Sequence, residues 1–443
     1  MEEYLKKVLE QIRCKKAQGE IREELRAHIE DQKEANLAAG MSVEEAEREA
    51  VADMGDPVET GIALDKVHRP QVAWQMIAMM AVMTVASFLV HRQLGNLGTC
   101  RHLVIGFVLM MGVYFLDYTR IAWVAKPFAV LFFLFCAFET VFGVPNVGGT
   151  IWTAAPLFGI YFGMFPVMML YVPLYGAVLY QYYGTGYKGL CKSILWALPP
   201  LFFAMEVPSI ILAAILYVSM GSLLLLAVGK GWFRVAKRDT LYLLGLVGVL
   251  IPAGLGAILW LTGRMAPYQM ERIRSFWYRQ DEEWNYVARM VKQLLSGSSF
   301  VGASATEIEK MLPDYGNSWI LTYLTASYGQ IVFLLVCAGF VFLLYKIFSA
   351  VLGQKNQLGM MMGFGCGMVL LLNVLINVLE NLGILPETQT FLPFFSQGGG
   401  SILLCYILMG MIMSVYRYKD IYSCHRGKAY HGKRLRIRIE MTE

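Results

Sequence analysis

Phe391-Leu392-Pro393-Phe394-Phe395-Ser396-Gln397-Gly398-Gly399-Gly400-Ser401 lies between two apolar stretches near the end of the chain. It opens a final apolar run, 399–416, close to the ~20 residues that a helix needs to cross a bilayer. Working back from it, comparable runs lie near 73–92, 102–117, 122–142, 157–181, 189–205, 208–228, 240–262, 319–345 and 357–379. Pro199-Pro200 breaks the run 189–205, and Pro208 follows closely. The expected fold is all-α, a polytopic membrane protein of about ten transmembrane helices.

Composition agrees. The chain is 57% apolar and 16% charged, with less polar surface than a soluble domain needs. Charge is unevenly placed. Residues 1–70 hold 17 Asp/Glu and 11 Lys/Arg, a net of −6, and the remainder carries a net of +11. An acidic soluble head therefore precedes a basic membrane body. The head lacks an apolar h-region, so no signal peptide is expected. Cys136, Cys337, Cys366 and Cys405 fall inside apolar spans and read as small hydrophobes rather than a disulfide framework.

The head is punctuated for helices. Gly40 ends one, Ser42 with Glu45 makes a capping box for the next, and Gly55 stops that. Asp56-Pro57 then supplies an N-cap and a first-turn proline.

Loop charge predicts orientation. With a cytoplasmic head, alternate loops should be basic. Residues 187–192 hold two Lys, and 229–239 hold Lys230, Arg234, Lys237 and Arg238. Lys346 and Lys355 flank the next such loop, and the tail 419–443 is rich in Lys and Arg. The loops 143–156 and 381–398 carry neither. Both termini are expected in the cytoplasm. The long loop 264–318 then lies outside, and its stretch 271–295 interleaves charge with Phe276, Trp277, Trp284 and Tyr286. Such a pattern suits headgroup-level anchoring or substrate contact.

These blocks resemble the SEDS family, the FtsW/RodA/SpoVE cell-wall glycan polymerases. The family reads LPF-S-GG-S over Leu392, Pro393, Phe394, Ser396, Gly398, Gly399 and Ser401. Leu312-Pro313-Asp314-Tyr315-Gly316-Asn317-Ser318-Trp319-Ile320 falls where it reads LPE-x-H-T-D-F-I. Tyr268-Gln269 with Arg272-Ile273 and Phe276 is similar to Y-Q-x-x-R-I-x-x-F, and Asn381-Leu382-Gly383 with Pro386 to N-x-G-x-x-P. Strong matching covers 264–418, within a membrane domain of 73–418. The head, 1–66, is similar to the small helical HAAS or permease-prefix module, which implies interaction or regulation.

The resemblance implies a glycosyltransferase that uses lipid II, joining the donor's anomeric carbon to a sugar hydroxyl at the outer membrane face. A carboxylate must take the hydroxyl proton as that bond forms. Cations must offset the leaving pyrophosphate. Arg272 and Arg274 suit the second task, with Lys292 and Lys310 behind them; snorkelling to headgroups is the commoner use of such side chains. Ser318 stands at the position of the family's catalytic Asp, and a serine is no base unaided. Asp314 is the fallback: a helical backbone would put it on one face with Ser318. Glu307, Glu309 and Glu206 come next. The family's following E-E-L-G is Ala326-Ser327-Tyr328-Gly329 here.

Asn373, Asn377 and Asn381 form a stripe at every fourth residue, with Glu380 at i,i+3 from Asn377. Amides and carboxylates inside a span face protein or a water-filled cavity. Interhelical hydrogen bonds are the first reading and a lining for a lipid substrate the second. Glu206 would line the same outward face. No phosphate-binding loop is present, and Cys424, His425 and His431 lack zinc spacing. No cofactor is evident, a divalent metal staying open.

The expected protein serves cell-wall assembly in division, elongation or sporulation. It is a diverged glycosyltransferase or a catalytically impaired scaffold for a class B penicillin-binding transpeptidase. Its other contacts are a lipid-linked glycan precursor and membrane lipids, with no nucleic acid. The alternatives are a transporter or flippase of a polyprenyl-linked precursor, and a regulator built on the prefix. Cysteines introduced at residue 280, in 229–239 and in the tail test the topology: 280 should label from outside and the others from inside. Labelling of 280 from the cytoplasmic side alone contradicts it.

Overall fold

The computed structural model describes residues 1–142, 144–146, 150–153, 163–206, 209–263, 270, 286–303, 308–386, 388, 390–419 and 421. They divide into two compact units, one of 1–73 with 353–357, 415–419 and 421, the other drawn from 74–352 with 358–414.

The first unit contains four head helices, Glu2–Glu10, Lys15–Ala38, Val43–Ala52 and Pro57–Val67. Ile21, Leu25 and Ile29 repeat every four residues and so share one face of the second helix. They are buried with Leu5, Val8, Ile12, Ala46 and Ala50. The caps form as the sequence predicts. The Ser42 hydroxyl accepts from the Glu45 amide while the Glu45 carboxylate accepts from the Ser42 amide, and Asp56 accepts from the amides of Val58 and Glu59. Gly40 and Gly55 end their helices at φ 93° and 76°, angles that other residues resist. Gly61 lets the fourth helix touch the first, since a Cβ there would lie 2.7 Å from the Val8 carbonyl oxygen. In the same unit the Gln71 amide donates to the Arg417 carbonyl at 3.0 Å, and Lys16 Nζ sits 4.5 Å from the centre of the Tyr418 ring.

The second unit is a helical bundle. Among the described residues, eight of its helices are long and apolar enough to cross a membrane: Trp74–Gln93, Leu97–Phe115, Thr119–Phe142, Ile210–Gly229, Lys237–Leu261, Gln330–Leu352, Gln357–Asn381 and Gly399–Arg417. The remaining predicted spans correspond to Met164–Tyr180, a shorter helical stretch joined at Leu170, and Gly186–Glu206. Tyr171 and Tyr175 tie these two together by donating their hydroxyls to the carbonyls of Trp196 and Ser193. Gly176 lies against the main chain of Met361, where a Cβ would come within 3.0 Å of a carbonyl oxygen.

Two expectations need correction. Pro199-Pro200 does not break its helix, which runs through both residues; a prolyl residue in a membrane helix is tolerated where neighbours re-satisfy the freed carbonyls. The run 319–345 is two helices, Ile320–Tyr328 and Gln330–Leu352. Gly329 separates them at φ 103°, and a Cβ there would meet the Phe300 carbonyl oxygen at 2.7 Å. The all-α expectation holds, with one short antiparallel pair, Val144–Asn146 and Thr150–Thr153, beside the helices.

Asp65 gives the head a pH dependence. Its buried carboxylate accepts from the Arg13 side chain at 2.7 and 3.0 Å and from the Arg13 amide at 2.9 Å. Those bonds hold it below the ordinary carboxylate value of 3.8. A depressed folded value means stability fully present above the unfolded value and lost as pH falls through the folded one. Residues 1–66, expressed alone, should be soluble and helical by circular dichroism, with a flat melting temperature at neutral pH that declines below about pH 4. Asp65→Asn should lower the neutral melting point by several degrees and shallow the acid decline, leaving the part due to groups such as Glu45, which Ser42 holds low. An unchanged acid limb would remove Asp65 from this role.

Candidate functional site

The segment entering the helix Ile320–Tyr328 is a turn rather than a helix. Asp314 takes φ 52°, so the expected helical alignment of Asp314 with Ser318 is not what forms. Asp314 is exposed while Ser318 is completely buried. The Asp314 carboxylate instead accepts from the Asn317 amide group at 3.1 Å and, at 3.4 Å, from the Ser318 main-chain amide. It closes its own turn. Pro313 beside it, with φ fixed, favours this local geometry.

Two asparagines of the helix Gln357–Asn381 hold the same turn from below. The carbonyl oxygen of Ser318 accepts from Asn377 Nδ2 at 3.0 Å and from Asn381 Nδ2 at 2.9 Å. Asn381 Oδ1 in turn accepts from the Thr322 amide at 2.9 Å and its hydroxyl at 2.8 Å. Asn377 Nδ2 also reaches the Thr390 carbonyl at 3.3 Å. All these side chains are fully buried, and an unmet polar group there would cost on the order of 1–3 kcal/mol. The stripe is therefore an interhelical clamp for its last two members. Asn373 stands apart: it bonds the carbonyl of Val369 on its own helix and Met169 Sδ, and its Oδ1 has no partner.

Glu380 is fully buried. It does not pair with Asn377 as the spacing suggests. Its carboxylate accepts from the Thr388 amide and hydroxyl at 3.0 and 2.6 Å and from the Thr390 hydroxyl at 2.9 Å, pinning the loop that leads to the 391–401 turn.

That turn is knit to the first by Ser396, whose hydroxyl accepts from the Leu392 amide at 2.6 Å and donates to the Asn317 carbonyl at 2.7 Å. The Gln397 amide donates to the Gly316 carbonyl at 2.7 Å. Gly316 occupies the position of the motif's His, and any Cβ there would clash with the Gln397 side chain. Phe394 is held at φ 66° with its ring buried against Tyr406. His91, also fully buried, donates from Nε2 to the Phe395 carbonyl at 2.6 Å, leaving Nδ1 without a partner. Gly398, at φ 130°, leads into the final helix, and Gly399 abuts the His102 ring.

Of the expected site residues, Ser318, Asp314, Asn377, Glu380, Pro393, Ser396, Gly398 and Gly399 lie in or beside these joined turns. Tyr268, Gln269, Arg272, Arg274 and Glu307 lie outside the described residues, as do the side chains of Glu206, Glu309 and Lys310. Lys292 packs its stem beside Gly383, where a Cβ would lie 3.1 Å from Lys292 Cε. The sequence reading missed Thr322, Thr388, Thr390 and His91. A lone His near the end of an apolar span and two threonines following a buried Glu were the available signals. Chemically, the described part offers hydroxyls, amides and main-chain groups, with Asp314 exposed. The Ser318 hydroxyl has no hydrogen-bond partner. Among the described residues no group of three His, Cys, Asp or Glu could hold a metal ion.

Similarity to known proteins runs the same way. The family Cell cycle protein (FtsW/RodA/SpoVE) matches residues 70–421, and the HAAS family matches residues 3–60. A probable peptidoglycan glycosyltransferase FtsW of Hydrogenovibrio crunogenus is 26% identical over 158 residues, 34% of this chain and 41% of that protein. Stage V sporulation protein E of Bacillus subtilis is 27% identical over 190 residues, 42% of this chain and 49% of that protein. The chain thus spans about half the length of the curated relatives it matches. A solved chain from a peptidoglycan synthase complex aligns over 79% of this chain and 98% of its own, with TM-score 0.64 and 18% identity. At that identity the likeness speaks for the fold.

The clamp has a direct test in thermal melting of the detergent-solubilised chain. Asn381→Leu removes the Ser318 contact and strands two Thr322 donors, so it should destabilise by roughly 2–4 kcal/mol. Asn373→Leu, with Oδ1 already unpartnered, should stay within about 1 kcal/mol of wild type. Equal losses at both positions would contradict the assignment.

Proposed function

The chain belongs to the FtsW/RodA/SpoVE family of cell cycle proteins and is a multi-pass membrane protein; on that premise we propose that it serves bacterial cell-wall assembly with its glycan-polymerising chemistry impaired. It keeps the family's architecture around a lipid-linked glycan and acts chiefly by holding a transpeptidase of the class B penicillin-binding type. Both termini are cytoplasmic and the joined turns face outward, as the basic loops suggest.

One observation carries this reading. At the position of the family's catalytic Asp stands Ser318, buried and with its hydroxyl unpartnered. Its main-chain oxygen is meanwhile fixed by Asn377 and Asn381. The residue contributes its backbone to the fold and offers no base to an incoming sugar hydroxyl. General-base catalysis contributes about 10²–10⁴ in rate, so its loss leaves polymerisation slow or nil. Asp314 is a poor substitute, since its carboxylate is engaged by its own turn. The neighbouring peptidoglycan synthase complex, in which polymerization and crosslinking are coordinated, supports the choice of partner.

The test is lipid II polymerisation by the purified chain, with and without a partner transpeptidase. Wild type should give little or no polymer in either case while co-purifying with the transpeptidase. Ser318→Asp should raise polymerisation measurably. Robust wild-type polymerisation that disappears in Asp314→Ala would overturn the proposal and give the base role to Asp314.

A further inference from the structure

The Lys15–Ala38 helix of the head sorts its charges by face. Beyond its first turn every basic side chain is answered by another head helix: Arg22 and Arg26 pair with Glu2, and Lys33 pairs with Glu47. At about 3.6 residues per turn, Glu23, Glu30 and Glu34 fall opposite the buried Leu25, with Glu24 and Asp31 at the edge of that outer face. All five acids are exposed, and none makes an ion pair or hydrogen bond with a described residue. Glu30 and Asp31 stand four and three residues from Glu34, a spacing at which like charges destabilise a helix. The same face runs out onto exposed apolar residues, Leu37 and then Met41.

The chain carries a segment of matching chemistry and brings it to this helix. Within the head's own unit, Lys16 Nζ donates to the Tyr418 hydroxyl at 3.4 Å, and the Gln71 amide donates to the Arg417 carbonyl. The chain therefore leaves the described residues, at Ile421, beside the start of the helix. The residues 422–443 lie outside the described structure and hold six Lys or Arg against two Glu. From Lys433 to Met441 they read Lys-Arg-Leu-Arg-Ile-Arg-Ile-Glu-Met, a period-two alternation that puts Arg434, Arg436 and Arg438 on one side of an extended segment. Extended, 433–438 spans about 17 Å, equal to the roughly 17 Å that 23–34 covers along the helix. The twelve residues from Ile421 to Lys433 reach up to about 40 Å, ample for the ~10 Å between Lys16 and Glu23 along the helix. A parallel course then carries Ile439 and Met441 to Leu37 and Met41.

We infer that the outer face of the Lys15–Ala38 helix is a docking surface for the chain's own tail, with 433–438 on the acids and 439–441 on the apolar end. The tether makes the encounter intramolecular, so weak exposed pairs suffice. A docked tail neutralises the face and is withheld from anionic lipid headgroups, which compete for the same arginines.

Tryptic release of the tail from the full chain in neutral detergent tests this, with cleavage after Arg434, Arg436 and Arg438 read by mass spectrometry. Glu23→Gln/Glu30→Gln/Glu34→Gln should be cut there about tenfold faster than wild type, because cleavage follows the population of the open form. Its melting point should be unchanged. High salt should speed cleavage of wild type toward that of the variant. Glu3→Gln/Glu49→Gln/Glu59→Gln, which removes three exposed acids from the other head helices, should be cut like wild type. Carbodiimide, which joins amines to carboxylates in contact, should link Lys433 to Glu30 or Glu34 in wild type, a readout independent of any variant's folding. A triple variant cut like wild type, or a control cut as fast, overturns the surface. Links that form only between isotopically distinct chains assign the face to a second copy and overturn the tail as its own occupant. A wild-type tail that is cut freely in neutral detergent and protected only by added phosphatidylglycerol belongs to a lipid surface, which overturns the proposal.

Discussion

The main-chain oxygen of Ser318 takes two hydrogen bonds from buried asparagine amides, and the geometry of the whole polar end of the bundle depends on that junction. A carbonyl with two lone pairs is fully satisfied by two such donors. The turn 312–319 therefore cannot rotate or slide without leaving Asn377 and Asn381 unmet in a dry interior. Thr322 locks the helix that follows to the same asparagine. Ser396 locks the 391–401 turn to Asn317, one residue away. Three separate stretches of chain are thus referred to one point.

Function follows from what the junction does not use. It engages the backbone at 318 and makes no hydrogen bond to the Ser318 hydroxyl, so in the function proposed above the turn keeps its shape without a base at this position. The surrounding contacts are equally indifferent to charge at this position: Glu380 is bound by threonines, and Gly316 and Gln397 meet through their main chains. A scaffold needs only the shape of these turns. A polymerase needs a base as well.

Much of this was legible in the sequence for reasons that are local. Gly40, Ser42, Glu45, Asp56 and Pro57 mark helix ends through their own backbone preferences, and the helices end there. The Asn377 and Asn381 spacing announced a polar seam because amides in an apolar span must find partners. The stretches 312–320 and 391–401 were marked by their resemblance to the family's motifs, though not as turns. What escaped depends on distant chain. Gly329 reads as one small residue in a long apolar run, and only the approach of Phe300 makes it a break. Pro199-Pro200 reads as a break, yet the packed helix carries both. His91 gains its meaning from a carbonyl more than three hundred residues away.

The central claim is that position 318 acts through its backbone, and Ser318→Ala isolates the side chain. The hydroxyl has no hydrogen-bond partner, so its removal should leave the melting temperature within a few degrees of wild type. Growth of cells that depend on this chain should also be unchanged. A variant that melts like wild type but fails to support growth would show that the hydroxyl performs chemistry, and would contradict the account.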